Sequence, residues 1–382
     1  MEEKQILMIP GPTPIPPSVL AAMARPMINH RGAEFAELQR RCTTSLKRIF
    51  NTEEDVFIFP SSGTGGLEAA IANVVSPGDK VLSVSVGVFG DRFAKIAQAF
   101  GADVVKLDFE WGKPADPKVV AERISQPDLS DLKIVLLTHN ETSTGVLNDI
   151  KELADVIRPT NALILVDAIS GMIASPLHTD DWGLDVVISG SQKAWMIPPG
   201  MTFLSVSQRA WEVNARCKGS RFFYDFAAMK KSYEKDQTPW TPAVSLIYAL
   251  SQALSILERE GPEATFARHK QLAAATRAAM RALKLPLLAD DSCASQSVTA
   301  VCAPEGIAPK DLRKVARDQF GVVLAGGQQN LEPIIFRIGH LGWVDKMDII
   351  AAVSAVEMSL AVMDRPVELG AGVAAAQKVF LD

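Results

Sequence analysis

Between residues 56 and 206 short apolar, β-branched runs alternate for most of their length with stretches whose apolar residues recur at helical spacing. The runs cover 56–59, 80–85, 103–107, 133–138, 162–167, 185–189 and 201–206. Helical stretches fall near 65–75, 89–100, 117–125 and 150–158. Runs of this length, bounded by turn residues, read as buried strands. Strands joined mainly by helices predict an α/β fold with a mostly parallel seven-stranded sheet covered on both faces. In such sheets ligands sit beyond the carboxyl ends of the strands.

The flanking chain reads differently. Residues 8–17, Met-Ile-Pro-Gly-Pro-Thr-Pro-Ile-Pro-Pro, hold too many prolines for a helix or a central strand and predict a rigid extended arm. Ser18 is expected to cap a helix, and 32–50 to form a longer amphipathic one. The charged stretch 207–240 reads as irregular, and two long helices are expected at 243–259 and 262–283. After that come strand, helix, strand, strand and helix at 297–302, 309–319, 322–324, 334–338 and 345–363, a small α+β unit. The tail from Val367 lacks bulky apolar spacing and is expected to be loosely held. The expected organisation is an arm (1–20), a large domain (21–260) and a small carboxy-terminal α+β domain (261–382).

Composition narrows the function classes. Of 382 residues, 48% are hydrophobic and 22% charged, as in ordinary globular proteins. A net charge of −5, with no basic stripe, argues against nucleic acid or an anionic membrane as partner. No apolar run approaches the roughly 18 residues that a spanning helix needs. The start, Met1-Glu-Glu-Lys-Gln, does not resemble a secretory signal. Cys42, Cys217, Cys293 and Cys302 are scattered without paired spacing, which predicts reduced thiols in a cytoplasmic protein and no zinc site.

Chemistry gathers at the strand ends. Ser189-Gly-Ser-Gln-Lys193-Ala-Trp195 puts a single lysine between two apolar runs. Burying an ammonium is expensive, and a desolvated lysine is the kind that forms Schiff bases; a surface loop lysine is the plainer reading. Pro60-Ser-Ser62-Gly63-Thr64-Gly-Gly opens a helix after the first run, where free amides and the helix dipole favour a phosphate, although such a turn also occurs with no ligand. Asp167 ends the run 162–167 and could accept a charge-assisted hydrogen bond from a protonated ring nitrogen, or simply serve as a loop anion. Thr138-His-Asn-Glu-Thr142-Ser-Thr-Gly145 is a polar segment at another strand end, open to reading as an ordinary connecting loop. Arg337 lies inside an apolar strand and needs an anionic partner such as a carboxylate.

A phosphate cradle, a pyridinium partner, a lysine and a carboxylate clamp together make a pyridoxal 5'-phosphate site. In order and context these motifs resemble the class V aminotransferases of the alanine–glyoxylate and serine–glyoxylate (serine–pyruvate) group, across nearly the whole chain. The resemblance implies the fold type I of pyridoxal-phosphate-dependent transferases and a homodimer with active sites at the subunit interface. It implies that Lys193 forms the internal aldimine, that Asp167 keeps the ring nitrogen protonated, and that Thr142 bonds the ring hydroxyl. Ser62, Gly63 and Thr64 would hold the phosphate, with Gln192 against the cofactor and Phe89 stacked on its ring, where many relatives carry tryptophan. Thr241 and Thr238 would reach the phosphate of the neighbouring subunit; animal relatives have tyrosine at position 238. Arg337 would bind the substrate carboxylate near the Gly11 backbone.

The implied activity is ping-pong transfer of an amino group from alanine or serine to glyoxylate or pyruvate. Aspartate is an alternative donor if Arg31 or Arg221 met a second carboxylate, although both also read as solvated or structural. A lyase of the same fold would share Lys193 and Asp167. Cysteine desulfurases need a loop cysteine and a ring histidine that are not evident here. Some cyanobacterial relatives are labelled soluble hydrogenase subunits, which leaves a non-catalytic subunit as the rival from another class.

Overall fold

The computed structural model describes residues 5–382. Its strands in chain order are β1 (Ile6–Met8), β2 (Asp55–Phe59), β3 (Lys80–Ser85), β4 (Asp103–Asp108), β5 (Ile134–Thr138), β6 (Asn140–Glu141), β7 (Val146–Leu147), β8 (Leu163–Asp167), β9 (Val186–Gly190), β10 (Thr202–Val206), β11 (Val298–Cys302), β12 (Val322–Gly326) and β13 (Ile335–Gly339). All seven predicted runs enter one sheet, in the order β2-β10-β9-β8-β5-β3-β4. Only β10 runs against its neighbours; the other pairings are parallel. The central strands β5, β8 and β9 are buried along their whole length, as continuous apolar runs should be in a sheet covered on both faces.

Two layers of helix supply the cover. On one face Phe35, Leu46 and Phe50 of the helix Ala33–Phe50 pack with Leu250 and Leu254 of the helix Val244–Glu260. On the other, Leu67 and Ile71 of Gly63–Val74 and Phe93 of Val88–Ala99 pack beside Phe57 and Phe59. Register then aligns the strand ends: Thr138 pairs with Asp167, and Asp167 with Ile188. The polar residues that follow β5, β8 and β9 therefore emerge side by side.

A second sheet has the order β1-β12-β13-β11, with β1 parallel to β12 and the remaining pairs antiparallel. Leu272 and Met280 of the helix Pro262–Ala282, and Val353 and Val356 of Lys346–Val362, pack in its core. The amino-terminal arm thus begins as an edge strand of this smaller sheet.

Three expectations need correction. The tail is an ordered helix, Ala371–Leu381, whose small residues let it lie close to its neighbours. Its amino terminus is held by the Glu357 carboxylate, which accepts from the amides of Gly370 (2.9 Å), Gly372 (2.7 Å) and Val373 (3.1 Å). The first helix starts at Pro17 with Pro16 flanking it and no side-chain cap, so Ser18 lies inside the helix. Proline suits that first position because its missing N–H needs no partner there. The stretch 207–240 contains two helices, Gln208–Asn214 and Phe226–Tyr233, capped by Ser207 and Asp225. Their exposed charges hid a short apolar face that buries Ala210, Phe226 and Met229. Among the described residues no helix is long and apolar enough to cross a membrane.

Candidate active site

The lysine loop leaves β9 and is tied down on both sides of Lys193. Ser191 Oγ donates to the Pro198 carbonyl (2.7 Å) and accepts from the Met201 amide (3.1 Å). Trp195 is fully buried against Phe203, centroids 4.7 Å apart, and its Nε1 donates to Ser189 Oγ. Met196 adopts a left-handed backbone (φ 60°), uncommon for a residue with a side chain and held here by the surrounding packing. Between these anchors Lys193 is half-buried, and its Nζ donates to the Pro10 carbonyl at 2.6 Å. Burial pulls its pKa down to about 8; Arg337 and Arg92 act in the same direction, and Asp167 opposes them.

Asp167 is buried at the end of β8. Its Oδ1 accepts from the Ile169 amide at 2.9 Å, and Oδ2 has no hydrogen-bond partner among the described residues. Burial raises its pKa to about 7, with a further push from Glu141; the Ile169 amide, Lys193 and Arg92 pull it back. Lys193 and Asp167 thus act on each other within one dry site.

The arm crosses this site. Thr13 donates from its amide to the Gln192 carbonyl (3.2 Å) and from Oγ1 to the Lys193 carbonyl (3.0 Å). Gly11 lies directly on the lysine side chain. A Cβ there would stand 2.7 Å from Nζ and 2.8 Å from Cδ, and φ is +133°, so only glycine fits.

The segment after β2 opens the helix Gly63–Val74 with Ser62 flanking it and no side-chain cap. The amides of Gly63, Thr64 and Gly65 have no partner among the described residues. A Cβ on Gly63 would meet Ile169 Cδ1 at 2.6 Å, and one on Gly190 would lie 3.3 Å from Gln192 Oε1. That Gln192 oxygen is buried and unpaired. The helix start, the lysine loop and the turn after Asp167 therefore meet at one point.

The hairpin of β6 and β7 carries the next group. Thr142 Oγ1 lies 2.7 Å from Ser170 Oγ, and the Thr142 carbonyl accepts from Arg337 Nη1 at 2.8 Å. Arg337 reaches in from β13, its Nε donating to the Gly326 carbonyl at 2.8 Å, and it has no carboxylate partner among the described residues. Burial lowers its pKa to about 10; nearby Glu141 works against this and Arg313 with it. Phe89 sits at the start of the helix Val88–Ala99, with the Arg92 guanidinium 4.6 Å from its ring centroid.

Two of these residues escaped the sequence reading. Glu141 is completely buried behind Phe89 and Thr142, yet in the sequence it is one acid in a polar loop. Arg92 is half-buried with no carboxylate or hydrogen-bond partner among the described residues. The available signal for Arg92 was a cation in the first turns of a helix, where the dipole disfavours it, three residues after Phe89.

Thr238 and Thr241 stand apart from this group. Thr238 Oγ1 donates to the Trp240 carbonyl at 2.6 Å, and both threonines line a crevice with Phe59, Pro60 and Trp240. Thr241 is exposed. Arg31 donates to the carbonyls of Thr238 and Pro239, and Arg221 to those of Asn214, Cys217 and Gly219, so both hold backbone.

The family model described as Aminotransferase class-V matches residues 7–361. The chain is 44% identical over 382 residues to a protein named soluble hydrogenase 42 kDa subunit from Anabaena cylindrica, covering 100% of both. It is 36% identical to a serine–glyoxylate aminotransferase of Methylorubrum extorquens, covering 97% of this chain and 94% of that one. The crystal structure of ureidoglycine–glyoxylate aminotransferase from Bacillus subtilis superposes with a TM-score of 0.95 at 30% identity, covering 99% of this chain and 98% of the other.

The electrostatics of Lys193 can be tested on protein freed of small molecules. Reductive methylation with formaldehyde, followed by peptide mass spectrometry across pH, is expected to label Lys193 with a midpoint near 8. Because Asp167 favours the ammonium and Arg337 disfavours it, Asp167→Asn should move the midpoint down and Arg337→Met should move it up. A midpoint near 10.5, the ordinary lysine value, would show that the amine is not desolvated.

Proposed function

The chain belongs to the class-V aminotransferases, which use pyridoxal phosphate, and from that premise we propose that it transfers an amino group from alanine or serine to glyoxylate or pyruvate. The observation that carries this reading is the lysine of lowered pKa acting on a buried aspartate, beside a helix start with three unpaired amides. The residues fit the cofactor. Gln192 Oε1 is an orphaned buried acceptor, and at Gly63 and Gly190 a Cβ would fill the space next to it. Ser62, Gly63 and Thr64 would hold the phosphate, Asp167 the ring nitrogen, Thr142 and Gln192 the ring edge, and Phe89 one face.

Bound pyridoxal phosphate supplies an aldehyde for Lys193 and a ring that accepts the electrons left when the substrate loses its α-proton. The chain's own groups do the rest. Asp167 presents Oδ2 as a charged acceptor in a dry setting, where opposite charges hold each other strongly. With a pKa near 8, Lys193 has a substantial neutral fraction at physiological pH, so its Nζ can take a proton from the α-carbon and return it. The Pro10 carbonyl, already the acceptor for Nζ, keeps the amine aimed between these positions. Arg337 has its Nε and one Nη fixed by carbonyls, which leaves the rest of the fork for the substrate carboxylate. Keto acid leaves before the second keto acid enters, because Arg337 is a single carboxylate clamp serving both half-reactions.

A second reading is favoured by Arg92. An unpaired, half-buried guanidinium that is felt by both Lys193 and Asp167 would suit the side-chain carboxylate of aspartate as donor. This role does not pass to Arg31 or Arg221, whose guanidiniums hold backbone carbonyls.

The protein would act as a homodimer. Phe222 (74% exposed) and Phe223 (40%) gather against Trp240, with Phe222 and Trp240 stacked at 4.8 Å, beside the exposed Thr241. Aromatic side chains at the surface are the usual anchors of an interface. Thr241, and with it the 238–241 segment, would then face the phosphate site of the other copy.

Three measurements test this reading. The purified protein should be yellow, and alanine or serine should bleach that colour with release of keto acid, which glyoxylate reverses; Lys193→Ala should abolish both. A colourless protein unable to take up the cofactor would favour a non-catalytic subunit, and ammonia release without keto-acid-dependent recovery would mark a lyase. For the donor, Arg92→Met should lower the ratio of kcat/KM for aspartate to that for alanine at least tenfold, the worth of one charged hydrogen bond; an unmoved ratio removes the aspartate reading. Sedimentation equilibrium should give twice the chain mass of 41.2 kDa.

A further inference from the structure

Glu141 is a fully buried acid that the mechanism above does not use. A buried carboxylate survives only where donors replace its water, and here the donors are specific. Oε2 accepts from the amides of Phe89 (2.9 Å) and Gly90 (3.1 Å), and Oε1 from the amide (3.0 Å) and hydroxyl (2.5 Å) of Ser143. Ser143 Oγ in turn accepts from the Val88 amide at 3.1 Å. The first three amides of the helix Val88–Ala99 are therefore all satisfied by residues 141 and 143. Three of the four donors to Glu141 are amides, which can only donate, and a helix start favours negative charge. Both features belong to an ionised carboxylate.

The approach is tight. A Cβ on Gly87 would lie 2.6 Å from Glu141 Cγ and 2.6 Å from Ser143 Oγ, so the chain comes this close only with glycine there. One side chain thus joins the helix that carries Phe89 to the loop that carries Thr142. The same loop offers the Thr142 carbonyl to Arg337. Glu141 also favours the charged form of Arg337 and the protonated form of Asp167, whereas burial pushes its own pKa up and its four donors oppose that.

We propose that Glu141 is the positioning residue of this site, fixing Phe89 and Thr142 relative to each other and supplying the buried negative charge that offsets Arg337. The inference rests on the aminotransferase reading for what Phe89 and Thr142 contact. Both oxygens of Glu141 are taken by these four protein donors, so it acts through the groups it holds.

The test uses the cofactor-loaded protein and a readout that packing alone would not move. The yellow lysine-bound cofactor changes colour as its nitrogen loses a proton, so an absorbance titration reports the charge around it. Removing a nearby negative charge destabilises the protonated form, so Glu141→Gln should lower that titration midpoint by about 1 pH unit. It should also weaken cofactor retention on dialysis about tenfold and raise KM for amino and keto acid together, through Arg337. Glu141→Asp keeps the charge on a shorter stem, so it should restore the midpoint without restoring cofactor retention. Should Glu141→Gln fail to fold, Ser143→Ala removes one donor from Oε1 and the acceptor of the Val88 amide while keeping the charge, so it should weaken cofactor retention without lowering the midpoint. An unmoved midpoint and unchanged retention in the variants that fold would overturn the proposal. If the wild type never turns yellow, the aminotransferase reading fails instead.

Discussion

The site depends on withdrawing four ionisable side chains from water at once, Asp167, Glu141 and Arg337 almost wholly and Lys193 in part. Lys193 and Arg337 are cations, Asp167 and Glu141 are anions, and for each of the four burial is the largest influence on its proton affinity. A lone charge in such a place would be intolerable, because at low dielectric its interactions are several-fold stronger than in water and its lost hydration is not replaced. Two of each sign, all hydrogen-bonded, make the arrangement possible. Burial has also brought the aspartate up to about 7 and the lysine down to about 8, each shift opposed by the charge of the other group. An amine lowered in this way is a base suited to proton transfer near neutral pH.

The scaffold explains why these groups meet. Parallel strands covered on both faces must be apolar throughout, so chemistry is pushed to their ends. The register of β5, β8 and β9 then sets the end residues in a row. This is also why so much was legible in the sequence. Continuous apolar runs marked the large sheet to within a residue or so, and the residues just after them were the polar ones that mattered. Lys193, Asp167 and Arg337 stood out because each is a charge where the surrounding pattern is apolar.

What stayed hidden had no such contrast. Glu141 sits among threonines, serine and asparagine, so nothing in the local pattern separates a buried acid from a solvated one. Its role comes from the amides of a helix some fifty positions earlier, a relation that only folding creates. Arg92 looked like any exposed helix cation, and its lack of a hydrogen-bonded carboxylate among the described residues is a three-dimensional fact. The carboxy-terminal helix was missed for the opposite reason. Close helix contacts use small residues, and the glycine and alanine that permit them, Gly372 and Ala376, look like a weak apolar signal.

The arm gives the arrangement its coupling. Ile6–Met8 is a strand of the smaller sheet, paired with β12, whereas residues 10–13 are hydrogen-bonded to the lysine loop of the larger one. Just beyond Arg337, Gly339 packs so closely on the arm that a Cβ there would lie 2.3 Å from the Ile9 carbonyl. Gly342 does the same against Thr13 and the Lys193 carbonyl, where a Cβ would stand 3.1 Å from each. The strand of Arg337 and the strand that leads to Lys193 therefore belong to different sheets, but both are fitted to the same few residues of extended chain. Prolines stiffen that chain by fixing φ, so it transmits position instead of absorbing it. On the role proposed for Arg337, an amino acid held there by its carboxylate would be presented to Lys193 at a distance set by the arm. For this reason the proline-rich start is part of the candidate site, although it carries no reactive side chain.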